Sequence, residues 1–174
     1  NYFGVAAGEY IKKYCDAYDR YYADNPNYYP VRHGNEYLHD ISATEHVESL
    51  GFVNDAIAAI NTDKTLKNTV KNRYLKRLYG VKASSYCSIL YYFDTYYNAA
   101  SRDEKLMIGG EKSGLFGVGI SDAATAKAAF VSAFKEICAS AGITRCREGT
   151  EQDNTVENFL ENNISVNDPS KKHV

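Results

Sequence analysis

The stretch Tyr10-Ile11-Lys12-Lys13-Tyr14-Cys15-Asp16-Ala17-Tyr18-Asp19-Arg20-Tyr21-Tyr22 decides the fold class. Tyr10, Ile11, Tyr14, Cys15, Tyr18 and Tyr22 recur at steps of three and four, which puts them on one face of a helix. Asp24, Asn25 and Pro26 then stop that helix.

The same periodicity extends along the chain. Asn27–Ile41, with Pro30 and Gly34, reads as a loop. Ser42 and Glu45 have capping-box spacing and open a second helix through about Ile60. A third helix is predicted over Thr65–Tyr79, with Leu66, Val70, Tyr74 and Leu78 inward and Gly80 as its C-terminal stop. A fourth is expected from Ser84 to about Ala100. Gly109–Gly119 holds five glycines in eleven residues and reads as a loop. Asp122 caps a fifth helix ending at Ala141 before Gly142, and Thr155–Asn162 forms a short sixth. No segment alternates long enough for a strand. The expectation is an all-α fold: five to six helices in one bundle-like domain over residues 1–163, followed by a tail over 164–174. Phe3-Gly4-Val5 and Phe116-Gly117-Val118, each ahead of a cysteine-bearing helix, hint at a weak two-fold repeat.

Composition narrows the function classes. In 174 residues there are 20 basic and 22 acidic side chains, so a broad basic face for nucleic acid is not expected. No apolar run approaches the roughly 20 residues of a membrane span, which predicts a soluble chain without a transmembrane segment. Tyr is abundant, at 16 residues, beside four Cys, one Met and no Trp.

Familiar catalytic and metal motifs fail on spacing. Gly109-Gly110-Glu111-Lys112-Ser113-Gly114 lacks the order and the preceding strand of a phosphate loop. His33, His39 and His46, near Asp40 and Glu45, include no i,i+4 pair for zinc and read as surface or loop histidines. There is no Cys-x-x-Cys, and no base stands beside a cysteine in sequence. The chain reads as no enzyme.

The cysteines are Cys15, Cys87, Cys138 and Cys146. Cys15 and Cys87 share a surround of a preceding Tyr, further rings, and a carboxylate within two turns. As isolated thiols they can be small core hydrophobes. Cys146 stands between Arg145 and Arg147, which would lower a thiol's pKa and suit an anionic partner. Cys138 and Cys146 straddle Gly142 closely enough to pair, as in a secreted, disulfide-bonded helical binding protein with no chromophore. The third reading is covalent attachment of a linear tetrapyrrole. That needs a helical thiol, aromatic and aliphatic walls, a carboxylate for the pyrrole N–H groups, and Arg or Lys for the propionates. Asp16, Asp19 and Arg20 answer at Cys15; Asp94, with Lys82 or Arg77, at Cys87; Arg145 and Arg147 at Cys146. Cys138 and Cys146 can also share one pigment. The tyrosines then read as pocket walls and partner contacts more than core filler.

Through Tyr14-Cys15-Asp16-Ala17-Tyr18-Asp19-Arg20, Ser84-Ser85-Tyr86-Cys87 and Arg145-Cys146-Arg147-Glu148-Gly149, the sequence resembles the red-algal phycoerythrin gamma subunits, the chromophore-carrying rod linkers of the phycobilisome. The resemblance implies an all-helical light-harvesting protein in the central cavity of a hexamer of phycoerythrin alpha and beta subunits. It implies phycourobilin or phycoerythrobilin on the cysteines and contacts with other phycobilisome linkers. It further implies a chloroplast location at the stromal surface of the thylakoid membrane, and a transit peptide ahead of Asn1. Such linkers tend to be basic, whereas this chain has net charge −2; Lys64–Lys82, with seven Lys or Arg in nineteen residues, supplies a basic segment for an acidic partner.

Overall fold

Asn68–Tyr91 forms one 24-residue helix, about 36 Å long, that runs straight through Gly80. The computed structural model describes residues 2–23, 42–102, 123–145 and 155–164, and this is the third of the six helices among those described residues. The others are α1 (Val5–Ala23), α2 (Ala43–Thr62), α4 (Phe93–Arg102), α5 (Ala123–Ala141) and α6 (Val156–Asn163), with Asn68–Tyr91 as α3. Among the described residues there is no strand, and the all-α expectation holds. None of the helices there is long and apolar enough to cross a membrane.

Two helix starts are as the sequence predicts. The Ser42 hydroxyl accepts from the Glu45 amide at 3.2 Å while the Glu45 carboxylate accepts from the Ser42 amide at 2.6 Å, closing a capping box at α2. Thr155 caps α6, its hydroxyl accepting from the Asn158 amide. The end of α5 also agrees. Gly142 has φ +67°, the left-handed region. Its amide donates to the Ala139 carbonyl, and the Ile143 amide donates to the Cys138 carbonyl at 2.8 Å. That is a Schellman ending, which only a glycine enters without a Cβ penalty.

The middle of the chain differs from expectation. Gly80 does not stop a helix, and the expected break between Tyr79 and Ser84 is absent. A glycine there costs about 1 kcal/mol against alanine, but the turns on either side bury Leu78, Ala83, Ile89 and Leu90, and each of the three large side chains returns more than that. The break comes at Tyr92 (φ −118°, ψ 35°), so the predicted fourth helix is split between α3 and α4.

The helices pack in chain order: α1 on α2, α2 on α3, α3 on α5, α5 on α6, with α4 touching α2, α3 and α5. This divides the interior along α3. Its first half meets Ala7 of α1 and Val53, Ala56, Ile57 and Ile60 of α2 around Leu78. Its second half meets Phe93 and Tyr96 of α4, Phe130, Phe134 and Ile137 of α5, and Val156, Phe159 and Leu160 of α6. A small cluster of Ala17 and Tyr21, with Tyr18 and Phe52 against it, ties α1 to α2.

His46 and the tyrosines correct the sequence reading. His46 is not a surface or loop residue; it lies on α2 and is fully buried. Among the described tyrosine side chains, Tyr2 alone is exposed. Tyr21 and Tyr96 are buried, and Tyr10, Tyr14, Tyr74, Tyr79, Tyr86, Tyr91, Tyr92 and Tyr97 pack against the two main cores. They are core filler first, because a phenol buries a large ring while its hydroxyl reaches a partner. The helix stop at Asp24–Pro26, the loops at Asn27–Ile41 and Gly109–Gly119, His33 and His39, the Asp122 cap, the Phe116-Gly117-Val118 echo, Arg147 and the tail beyond Ile164 lie outside the described residues.

Candidate functional site

Gly80, Ala83, Ser84, Cys87 and Ser88 recur at three- and four-residue steps on one face of α3. All five are small. The facing part of α5 presents Phe134 and Cys138, which cannot fill the gap, and a cavity of about 290 Å³ opens between the two helices. Ile143 and Arg145 also line it. The Schellman turn places Ile143 against the end of α5, and an isolated antiparallel bridge between Arg145 and Thr155 fixes the backbone that carries the guanidinium.

Three of the residues singled out from sequence therefore meet here: Cys87, Cys138 and Arg145. Cys87 is half-buried, whereas Cys138 is 2 % exposed and forms part of the wall. The walls are otherwise apolar, with the hydroxyls of Ser84 and Ser88 as hydrogen-bonding groups. Among the described residues no carboxylate lines the cavity. Cys138 and Ile143 also line a second cavity of about 380 Å³, bordered by Lys135, Thr144, Thr155 and Glu157 at the start of α6.

Tyr86, next to Cys87, turns into the core. Its ring stacks on Phe130 at 4.3 Å with 8° between planes, and burial raises its phenol above the ordinary range. Lys82 lies 5.8 Å from the same ring and donates to the Asn54 side chain at 2.8 Å; burial lowers its ammonium. Arg77 lies over the Tyr2 ring at 3.8 Å and donates to the Tyr2 carbonyl. The expected grouping of Asp94 with Lys82 or Arg77 at Cys87 is thus not what forms. Asp94 is exposed in the first turn of α4 and lines neither cavity.

The Cys15 group is arranged differently again. Tyr14 turns inward, and burial raises its phenol, while Cys15 is an exposed free thiol. Asp16 pairs with Lys12 at 2.5 Å, one turn away on the same helix. Arg20 reaches α2 and pairs with Glu48 at 3.1 Å, and Glu48 also accepts from the Tyr21 hydroxyl at 2.5 Å. Asp19 is exposed. These side chains fasten and solvate α1, and Cys15 lies outside both cavities. Cys146, and with it the pairing or shared pigment expected with Cys138, lies outside the described residues.

Ser84, Ser88, Phe134 and Ile143 are the lining residues that the sequence reading passed over. For the two serines the signal was present as the run of small residues at helical spacing from Gly80 to Ser88. It was hidden by reading Gly80 as a helix end.

Among the described residues no group of three or more His, Cys, Asp or Glu side chains is placed to hold a metal ion. No family model matches the chain, and neither the curated proteins nor the solved structures contain a significant match to it.

Proposed function

We propose that this chain is a carrier of a covalently bound linear tetrapyrrole, acting as a light-harvesting linker inside a phycoerythrin hexamer rather than as an enzyme. The observation that carries the reading is the α3–α5 cavity, where a half-buried helical thiol, Cys87, shares apolar walls with Arg145. A thioether at Cys87, rings against Phe134 and Ile143, and a propionate at Arg145 use what that cavity offers. It takes part of an extended tetrapyrrole, because its volume is at the low end for small-ligand sites. Among the described lining residues no carboxylate faces the pyrrole N–H groups, and Ser84 and Ser88 supply hydroxyl acceptors there. Phycourobilin or phycoerythrobilin at Cys87 is the favoured loading. Cys15, on an open helix face, is a second attachment point; Cys138 is a wall.

In this reading the protein works in the chloroplast, at the stromal surface of the thylakoid. The basic first half of α3 then faces the acidic inner surface of the alpha and beta subunits. Lys67, Arg73 and Lys76 are exposed there, and no Asp or Glu occurs from Lys64 to Phe93. The test is made on protein purified from its native source and denatured. Retained visible absorption, zinc-induced fluorescence on a gel, and a pigment mass on the Cys87 peptide support the reading. A colourless chain whose cysteine peptides carry no added mass refutes it.

A further inference from the structure

Tyr14, Tyr18 and Tyr21 follow at steps of four and three on one face of α1. Their rings form a ladder: 4.7 Å separates the centroids of Tyr14 and Tyr18, and 5.7 Å those of Tyr18 and Tyr21. At its end the Tyr21 hydroxyl donates to Glu48 of α2 at 2.5 Å, the length of a charge-assisted bond, while the Glu45 carbonyl stands farther off at 3.2 Å. We infer that Tyr21 is a redox-active tyrosine that gives its proton to Glu48 and its electron, through the ladder, to a one-electron oxidant at the open face of α1, an oxidised chromophore or metal complex. The inference goes beyond the pigment reading and does not depend on it.

The chemistry follows from where the charges stand. A phenol that loses an electron becomes a strong acid, so its radical persists only if the proton leaves as well. Arg20 sharpens that requirement, because its guanidinium lies 5.6 Å from the Tyr21 ring and repels a ring cation. Burial, and then the bond to Glu48, holds the phenol above its ordinary range, so no phenolate is present to give up an electron alone. Tyr21 is 8 % exposed, whereas the Glu48 side chain is 42 % exposed and is held by Arg20 at 3.1 Å. The base is thus fixed within reach of the phenol proton and open to water, which carries the proton onward. Tyr14 differs, since its hydroxyl faces the neutral hydroxyls of Tyr18 and Ser85. A hole there finds a poorer proton acceptor and moves on to Tyr21. In the net step the phenol O–H bond breaks, an O–H bond forms on a Glu48 oxygen, and the electron reduces the oxidant by one unit.

The experiment uses the full chain produced in a host without tetrapyrrole pigments. It carries Cys87→Ser and Cys146→Ser, so that the exposed Cys15 takes a ruthenium(II) tris-bipyridyl label while the buried Cys138 does not; peptide mass mapping checks the site. A flash with a cobalt(III) ammine as electron acceptor generates ruthenium(III) at the α1 face. The radical is followed by transient absorption and electron paramagnetic resonance. The expected product is a neutral tyrosyl radical that forms more slowly in deuterium oxide and is lost in Tyr21→Phe. Glu48→Gln, whose amide still accepts the phenol hydrogen bond but not the proton, slows its formation about tenfold or more, and Glu48→Asp keeps part of the rate. Far-ultraviolet circular dichroism confirms that each variant is folded; should Tyr21→Phe not fold, the two Glu48 variants decide. No radical in the parent chain, an unchanged rate in Glu48→Gln, or the same resonance spectrum in folded Tyr21→Phe overturns the inference. The native protein's colour tests the pigment separately and bears on none of these results.

Discussion

The Nε2 atom of His46 lies 3.1 Å from the hydroxyl of Tyr96, and the two rings meet edge to face at 4.9 Å between centroids. The contact joins α2 to α4 in an interior where His46 has no exposed surface. Its Nδ1 has no hydrogen-bond partner among the described residues. Burial pushes the imidazole pKa down from 6.5 to about 4, because the charged ring would lose its hydration without gaining a counter-charge.

Acid should therefore loosen the protein. Between pH 6.5 and 4 the unfolded chain binds a proton at His46 that the folded chain does not, so stability rises with pH across that window and is lost as pH falls through it. The full effect is about 3 kcal/mol. Urea midpoints at pH 7.5 and pH 4.5 measure it, and His46→Gln should remove most of the difference. A wild-type midpoint that does not move would show that His46 titrates normally in the fold.

Tyr96→Phe keeps the ring and removes the hydroxyl that meets Nε2. The buried imidazole then loses its remaining described partner, a loss of about 1–3 kcal/mol. Urea unfolding at pH 7.5 checks it.

Two glycine substitutions should act in opposite directions. Gly80→Ala adds a methyl group inside a continuous helix where no atom stands within 4 Å of the new Cβ, so it should stabilise by about 0.5–1 kcal/mol. Gly142→Ala places a Cβ at φ +67° and against Lys76, so it should destabilise by about 1–2 kcal/mol. Thermal melts of the two variants decide between one long α3 and two helices. A Gly80→Ala variant less stable than wild type would restore the reading of Gly80 as a helix end.

Because α3 belongs to both main cores, damage in either should lower one shared transition. Leu78→Ala empties part of the α1–α2–α3 core at a cost of about 2–5 kcal/mol, and Phe134→Ala part of the α3–α5 core at about 3–5 kcal/mol. Circular dichroism and tyrosine fluorescence should report the same midpoint for each variant. Two separated transitions would show that the halves unfold independently.

The described cysteines should differ in access. Cys15 is exposed, Cys87 half-buried and Cys138 buried, so neutral alkylating reagents should label them in that order. Cys138 should react at the rate of local or global opening. Mass mapping over a time course tests the order.

Much of the architecture was legible in the sequence because it rests on local rules. The three- and four-residue spacing of Tyr10, Tyr14 and Tyr18, the Ser42–Glu45 box and the Gly142 ending each act within one or two turns, and the structure shows all three. Gly80 misled for a tertiary reason. Glycine is a helix end only where no burial on both sides repays its entropy, and here Leu78 and Ala83 lie in two different cores. His46 misled in the same way, since a polar residue two positions from exposed Thr44 and Glu48 gives no local sign that α4 will cover it.

The candidate site divides along the same line. The sequence by itself marked Cys15, Cys87, Cys138 and Arg145 as chemically notable, and it set the helical spacing that lines small residues along α3. It could not determine which of these meet. The packing of α5 on α3 brings Cys87, Cys138 and Arg145 to one cavity, while the packing of α1, α2 and the N-terminal residues leaves Cys15 on an open face and draws Arg20, Lys82 and Arg77 to other partners. Spacing within a helix is fixed by 3.6 residues per turn and can be read along the chain. Proximity between helices depends on which faces bury the most apolar surface, and only the folded chain settles that.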